Sequence, residues 1–100
     1  MAIIIKWSDE ALKTFDDNIN YLIREWSENE IKNFIKQTNL RITSIELNPK
    51  LYRRSEKHLH IRRVSINKNI TLFYQYFSTK KEVTLLTFWN TNQDPKKLKY

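Results

Sequence analysis

The sequence predicts an α+β fold in the order βααβββ, a helical hairpin packed on a mostly antiparallel four-stranded sheet. Three observations carry this expectation. Three apolar, β-rich segments succeed one another between His58 and Trp89, separated only by short polar turns, as in an antiparallel meander. Two amphipathic helical stretches precede them almost without a gap, and a hairpin of this kind needs a sheet to bury against. A short β-branched run opens the chain.

Ala2–Trp7 is apolar at alternate and intervening positions, so it reads as a strand covered on both faces. Ser8 then stands as a helix cap, with Asp9 and Glu10 in the first turn, where the helix dipole favours negative charge. Leu12, Phe15, Ile19, Leu22 and Trp26 recur at helical spacing, and Ala11 and Ile23 widen that stripe into a helix over about 9–25. Ser27-Glu28-Asn29-Glu30 has the capping-box pattern and starts a second helix, with Ile31, Phe34, Ile35, Thr38, Ile42 and Ile45 on its buried side. Asn48-Pro49 ends it, because the residue before proline is pushed out of the helical region.

Residues 50–57 form a basic loop, and strands are expected at 58–66, 70–77 and 82–89. Asn67-Lys68-Asn69 supplies the first turn, since asparagine tolerates positive φ. Leu72, Tyr74 and Tyr76 on one face and Phe73 and Phe77 on the other mark the middle strand as covered on both sides. Leu59 and Ile61 share a phase that Val64 and Ile66 do not, which points to a bulge or twist near Arg63. One hundred residues make a single domain: strand 1–7, hairpin 8–47, meander 58–89 and a solvated basic tail 90–100.

Composition removes several classes of function. There is no cysteine, hence no disulfide, thiolate metal site or cysteine nucleophile. There is no glycine, hence no P-loop or dinucleotide fingerprint. The apolar run at the start is too short for a signal sequence or membrane span, so a cytoplasmic location without membrane attachment is expected. The net charge is +7 and uneven: residues 1–47 carry six Lys/Arg against eight Asp/Glu, residues 48–100 twelve against three. The basic half is the meander half, and such a field attracts nucleic acid, an acidic protein or an anionic surface.

Three stretches carry a family likeness. They are Ile19-Asn20-Tyr21-Leu22-Ile23-Arg24-Glu25-Trp26-Ser27 with Asn33-Phe34-Ile35, Arg62-Arg63 followed by Leu72-Phe73-Tyr74-Gln75-Tyr76, and Leu85-Leu86-Thr87-Phe88-Trp89 with the Asn90–Leu98 segment. Together with the element order, they resemble the RelE/ParE superfamily of toxins from bacterial type II toxin–antitoxin systems, and the Arg24-Glu25-Trp26 junction resembles the ParE branch. The resemblance implies a cognate antitoxin as partner, with operator DNA bound only through the toxin–antitoxin complex. It also implies one of two activities: ParE-like interference with DNA gyrase, without a nuclease site, or RelE-like cleavage of mRNA on the ribosome.

Cleavage of RNA through its own 2′-hydroxyl needs a base, cations and a proton donor. Arg62 and Arg63 suit the cationic role. Trp89, Asn90, Thr91, Asn92 and Gln93 follow the last strand, and none is a cation or a good acid. Tyr100 sits at the end, where fraying is expected. His58, His60 and Arg62 alternate and would share one face of a strand, so the two histidines are weak catalytic candidates beside Arg62 and Arg63, or simply exposed side chains. No third ligand joins His58-Leu59-His60, so neither a metal nor a cofactor is expected. Arg53, Arg54, Lys57, Arg62 and Arg63, with Trp89, Asn90 and Asn92, are the candidate target- or antitoxin-binding residues. Trp7, Trp26 and Trp89 read as packing residues. The gyrase reading is favoured, the mRNA interferase is the alternative, and a non-toxic basic nucleic-acid-binding domain is a third.

Overall fold

A computed structural model describes residues 3–25 and 27–100. Met1, Ala2 and Trp26, and with them the expected strand start, the end of the first helical stripe and the second tryptophan, lie outside these residues. The elements run β1 (Ile4–Trp7), α1 (Asp9–Glu25), α2 (Glu28–Leu47), β2 (Ile61–Ser65), β3 (Ile70–Phe77) and β4 (Glu82–Asn90), followed by a 3₁₀ turn at Pro95–Lys97. The sheet order is β1-β4-β3-β2, with β1 parallel to β4 and the other pairs antiparallel. The expected α+β fold is what forms. Its single parallel pair follows from the helices, which carry the chain back across the sheet before the meander begins.

The two helices and one face of the sheet enclose Leu22, Phe34, Ile45, Val64, Leu72, Tyr74, Val83, Leu85 and Phe88. Aromatic rings make its centre: Trp7 stacks on Phe88 at 5.4 Å, and Phe15 meets Trp7 edge-on at 5.4 Å and stacks on Phe34 at 5.3 Å. Trp7 is therefore a packing residue, as read from the sequence.

The buried side of α1 is rotated from the expected stripe. Leu12 and Ile23 are 51% and 59% exposed, whereas Ala11, Asn18 and Leu22 are buried. The reason lies in the sheet. β1 pairs with β4 only as far as Leu85, so the remainder of β4 has an unpaired edge. Ser8 and α1 close it. Ser8 N donates to Leu85 O and its hydroxyl to Leu86 O, Phe88 N donates to Thr14 Oγ1 at 3.0 Å, and Asn18 Nδ2 donates to Phe88 O at 3.0 Å. A buried backbone edge must be satisfied, so polar Thr14 and Asn18 take the positions that a purely apolar stripe would fill. Ser8 also caps α1 through Ala11 N at 3.0 Å.

Other expectations change as well. Ser27 precedes α2 but its side chain caps nothing, so the capping box does not form. Ile35 of the second stripe stays exposed. β1 is covered on one face only, with Ile4 and Lys6 outward. The bulge is not at Arg63: β2 pairs with β3 without a break, and the register slips between Phe73 and Tyr74 against β4, where Leu86 is the extra residue. The Asn67–Asn69 turn uses no positive φ. Asn67 Oδ1 accepts from the amides of Asn69 and Ile70 at 2.8 and 2.9 Å, and among the described residues the one positive φ outside glycine is at Lys81.

Candidate functional site

The basic loop and the meander meet at the outer edge of β2. The expected strand over 58–66 is shorter, because Ile61 N donates to His58 O at 3.2 Å and closes a turn over residues 58–61. That turn folds the loop back along β2: Ser55 N donates to Ile61 O at 2.7 Å, Arg63 N donates to Arg53 O at 3.0 Å, and Arg54 bridges Arg62. His58 and His60 therefore precede the strand and do not share a strand face with Arg62. His60 is exposed in the turn, and His58 Nε2 donates to Lys99 O at 2.8 Å. Among the described residues, no group of three or more His, Asp or Glu gathers at a metal-binding spacing.

Arg62 and Arg63 diverge. Arg62 faces the same side as its register partner Tyr74, and its Nη1 donates to Tyr52 O at 2.8 Å and to Lys50 O at 3.4 Å. It ties the basic loop down. Beside it, Tyr74 donates to Pro49 O at 2.8 Å, and burial pushes its phenol up to about 12, partly offset by the Arg62 charge. Arg63 faces the opposite side with its partner Phe73, and its Nη2 lies 3.6 Å from Glu56. Its Nε is buried without a hydrogen-bond partner among the described residues.

Arg63, Arg53 and Arg41 line an open groove of about 670 Å³ together with Leu51, Tyr52, Val64, Ser65 and Thr71. Arg41 is the residue sequence reading missed. It sits on α2, three residues after buried Thr38 and four before buried Ile45, and its Nε donates to Ser65 O at 3.2 Å. Its position beside the apolar stripe of α2 was the available signal, but only the packing of α2 on β2 brings it to the groove.

The other candidates lie elsewhere. Arg54 is exposed on the loop. Lys57 Nζ donates to Leu98 O and Ser55 Oγ to Tyr100 O, so the last three residues are held against the loop rather than frayed, while residues 91–97 and Lys99 stay exposed. Tyr100 covers Phe73 with ring centroids 6.1 Å apart, and Lys99 reaches Glu10 at 3.7 Å. Burial raises the Tyr100 pKa, and Glu10 raises it further. This docking buries the second face of β3 at Phe73. Trp89 is half-buried in a hollow with Glu10, Thr87 and the tail, separated from the arginine groove by β3, where its register partner is Thr71. Asn90 pairs with Ile70 and accepts from Asn92 N at 2.9 Å. Ile70 is three residues along β3 from Phe73, roughly 10 Å at strand rise. The candidate residues thus fall in two places, the arginine groove along β2 and the end of β4, with β3 between them.

The helical hairpin on a sheet of this order is the architecture of the RelE/ParE-like toxins. Similar solved structures include the chromosomal ParDE TA system from P. aeruginosa (TM-score 0.72, 10% identity, 88% of this chain and 95% of that one). The isolated E. coli RelE toxin follows with TM-score 0.65, 12% identity, and 95% and 90% coverage. A YoeB/ParE toxin from Agrobacterium tumefaciens has TM-score 0.64, 9% identity, and 88% and 98% coverage. At these identities the likeness is one of fold. No curated protein matches the chain by sequence. The family model of the ParE toxin of type II toxin–antitoxin system, parDE, matches residues 5–95, and the chain belongs to that family.

Proposed function

We propose that this ParE-family toxin acts in the cytoplasm by binding DNA gyrase rather than by cutting RNA, and that a cognate antitoxin neutralises it. The observation that supports the binding reading is the opposed orientation of Arg62 and Arg63. A phosphorane-like transition state needs cations converging on one point, and here Arg62 is spent on the carbonyls of the loop. The test is inhibition of gyrase supercoiling, and accumulation of the cleavage complex, by the purified chain. Inhibition that weakens in an Arg53→Glu/Arg63→Glu variant is the expected result, and supercoiling unaffected at stoichiometric excess sinks the proposal.

One observation favours the mRNA interferase. Tyr100 packs on Phe73, the register partner of Arg63, so a phenol and a guanidinium lie on one sheet face. Against it, the raised Tyr100 pKa makes the phenol a weaker proton donor at neutral pH. Cuts in translated mRNA that vanish in Tyr100→Phe would establish this second reading.

A further inference from the structure

Where the helical hairpin meets the β2–β3 turn lies a hollow of about 130 Å³ that shares no lining residue with the arginine groove. Buried Leu22 and Ile70 and the half-buried ring of Tyr21 make its apolar part. Asn67 and Asn90 supply its inner polar groups, and Glu30 and Lys68 stand exposed at its rim. A space of this size is well below the roughly 300–1,000 Å³ of sites that enclose a whole drug-sized molecule. It takes one flat ring system and leaves whatever that ring carries outside.

The main chain fixes which way the two amides face. A backbone N–H donates to the oxygen of a carboxamide and not to its nitrogen. The bonds from Asn92 N at 2.9 Å, and from Asn69 N and Ile70 N at 2.8 and 2.9 Å, therefore identify Oδ1 in Asn90 and in Asn67. Each Nδ2 is left with its two N–H donors and no partner among the described residues. Oδ1 of Asn90 turns to Asn92, which lines the neighbouring hollow and not this one, so Nδ2 is the branch left for this one. Asn90 is only 9% exposed, and an unused donor there costs free energy that a ligand acceptor recovers. At the rim, Glu30 and Lys68 face the same hollow, and neither has an ion-pair partner among the described residues.

We infer that this hollow is a nucleotide site that takes a guanine base, with the phosphate outside it against Lys68. The inner amides demand acceptors and Glu30 demands donors. Guanine carries both, with O6 and N7 as adjacent acceptors on one edge and N1–H and the 2-amino group beside them for the carboxylate. Adenine and cytosine offer one amino group and uracil one N–H, so none of them gives a carboxylate two bonds. Tyr21 supplies an aromatic face of the kind on which bases stack, and the Lys68 ammonium suits a phosphate as a point charge. The site is separate from the gyrase reading and stands whichever target the toxin takes.

The test titrates the isotope-labelled full chain with GMP, AMP, CMP and UMP, and separately with guanosine and inorganic phosphate. GMP is expected to shift the side-chain NH₂ signals of Asn67 and Asn90 and to bind about tenfold tighter than the other three nucleotides. Asn90→Asp keeps the acceptor for Asn92 N and turns the donor into an acceptor, so it lowers GMP affinity about tenfold. Glu30→Gln, at an exposed position, cuts the preference for GMP over AMP about tenfold with unfolding midpoints unchanged, which keeps the inference testable should Asn90→Asp disturb the fold. Lys68→Ala weakens GMP several-fold and leaves guanosine unaffected. A single-stranded tetranucleotide ending in guanine separates two sources of the base: it binds tighter than GMP if the site takes a strand end, and no tighter if it takes the free nucleotide. Equal binding of the four nucleotides, the same shifts from inorganic phosphate alone, no shift at millimolar GMP, or shifts confined to the arginine Nε signals of the groove overturns the inference.

Discussion

Replacing Asn18 by leucine tests the account of how α1 seals the sheet. Asn18 is 5% exposed, and its Nδ2 donates to Phe88 O at 3.0 Å and to Thr14 O at 2.9 Å. Leucine has the same number and branching of side-chain heavy atoms and adds helix propensity and apolar area, so a purely hydrophobic view expects a gain. The hydrogen-bond view expects a loss, because the Phe88 carbonyl stays buried with its donor gone. Leaving such a group unsatisfied costs about 1–3 kcal/mol, against a total stability of about 5–15 kcal/mol for a domain of this size. At about 4–8 °C per kcal/mol for 60–100 residues, the melting temperature should fall by several degrees. Urea unfolding is the assay, with the midpoint lowered and the slope unchanged. Thr14→Val, which orphans Phe88 N, should cost a similar amount, and the double variant less than the sum, since both side chains serve one residue. A stability of Asn18→Leu equal to or above the wild type would refute the reasoning.

Three further outcomes follow from the same geometry. Arg62→Ala should destabilise the chain by about 1–3 kcal/mol through the lost Tyr52 and Lys50 carbonyl bonds, whereas Arg63→Ala should leave unfolding midpoints nearly unchanged and weaken binding at the groove. Tyr74 has its folded pKa raised to about 12 by burial, so the unfolded chain loses this proton first and stability should fall as pH rises from about 10 through 12. Tyr74→Phe should flatten that alkaline decline in a pH series of denaturation curves. Tyr100→Ala uncovers Phe73, and should speed exchange of the Ser55 and Arg63 amides while the amides in the middle of α1 keep their protection.

The local signals were strong enough in this sequence to specify the elements. Ser8 with Asp9 and Glu10 marked the start of α1 at Asp9, Asn48-Pro49 marked the end of α2, and the alternation of Leu72 to Phe77 marked β3 at its observed bounds. These are short-range effects of capping, proline sterics and side-chain period, and they need no knowledge of the rest of the chain. The element order and the likeness to the RelE/ParE toxins followed from them, as did the concentration of positive charge in the meander half.

What surrounds each element was a matter for tertiary structure. Thr14 and Asn18 turn inward because β1 stops at Trp7 and leaves β4 unsatisfied beside α1, a demand made by residues some seventy positions away. His58 and His60 fall out of β2 because the loop at 53–55 returns along its edge and a turn must join them. Arg62 and Arg63 are neighbours in sequence but serve opposite faces, since successive residues of a strand alternate, and which face is core depends on where the helices pack. Arg41 reaches the groove only through the seating of α2 against β2. Local periodicity sets which residues form a helix or a strand; partners distant in sequence set which of its polar groups must be buried, and which are left free to bind.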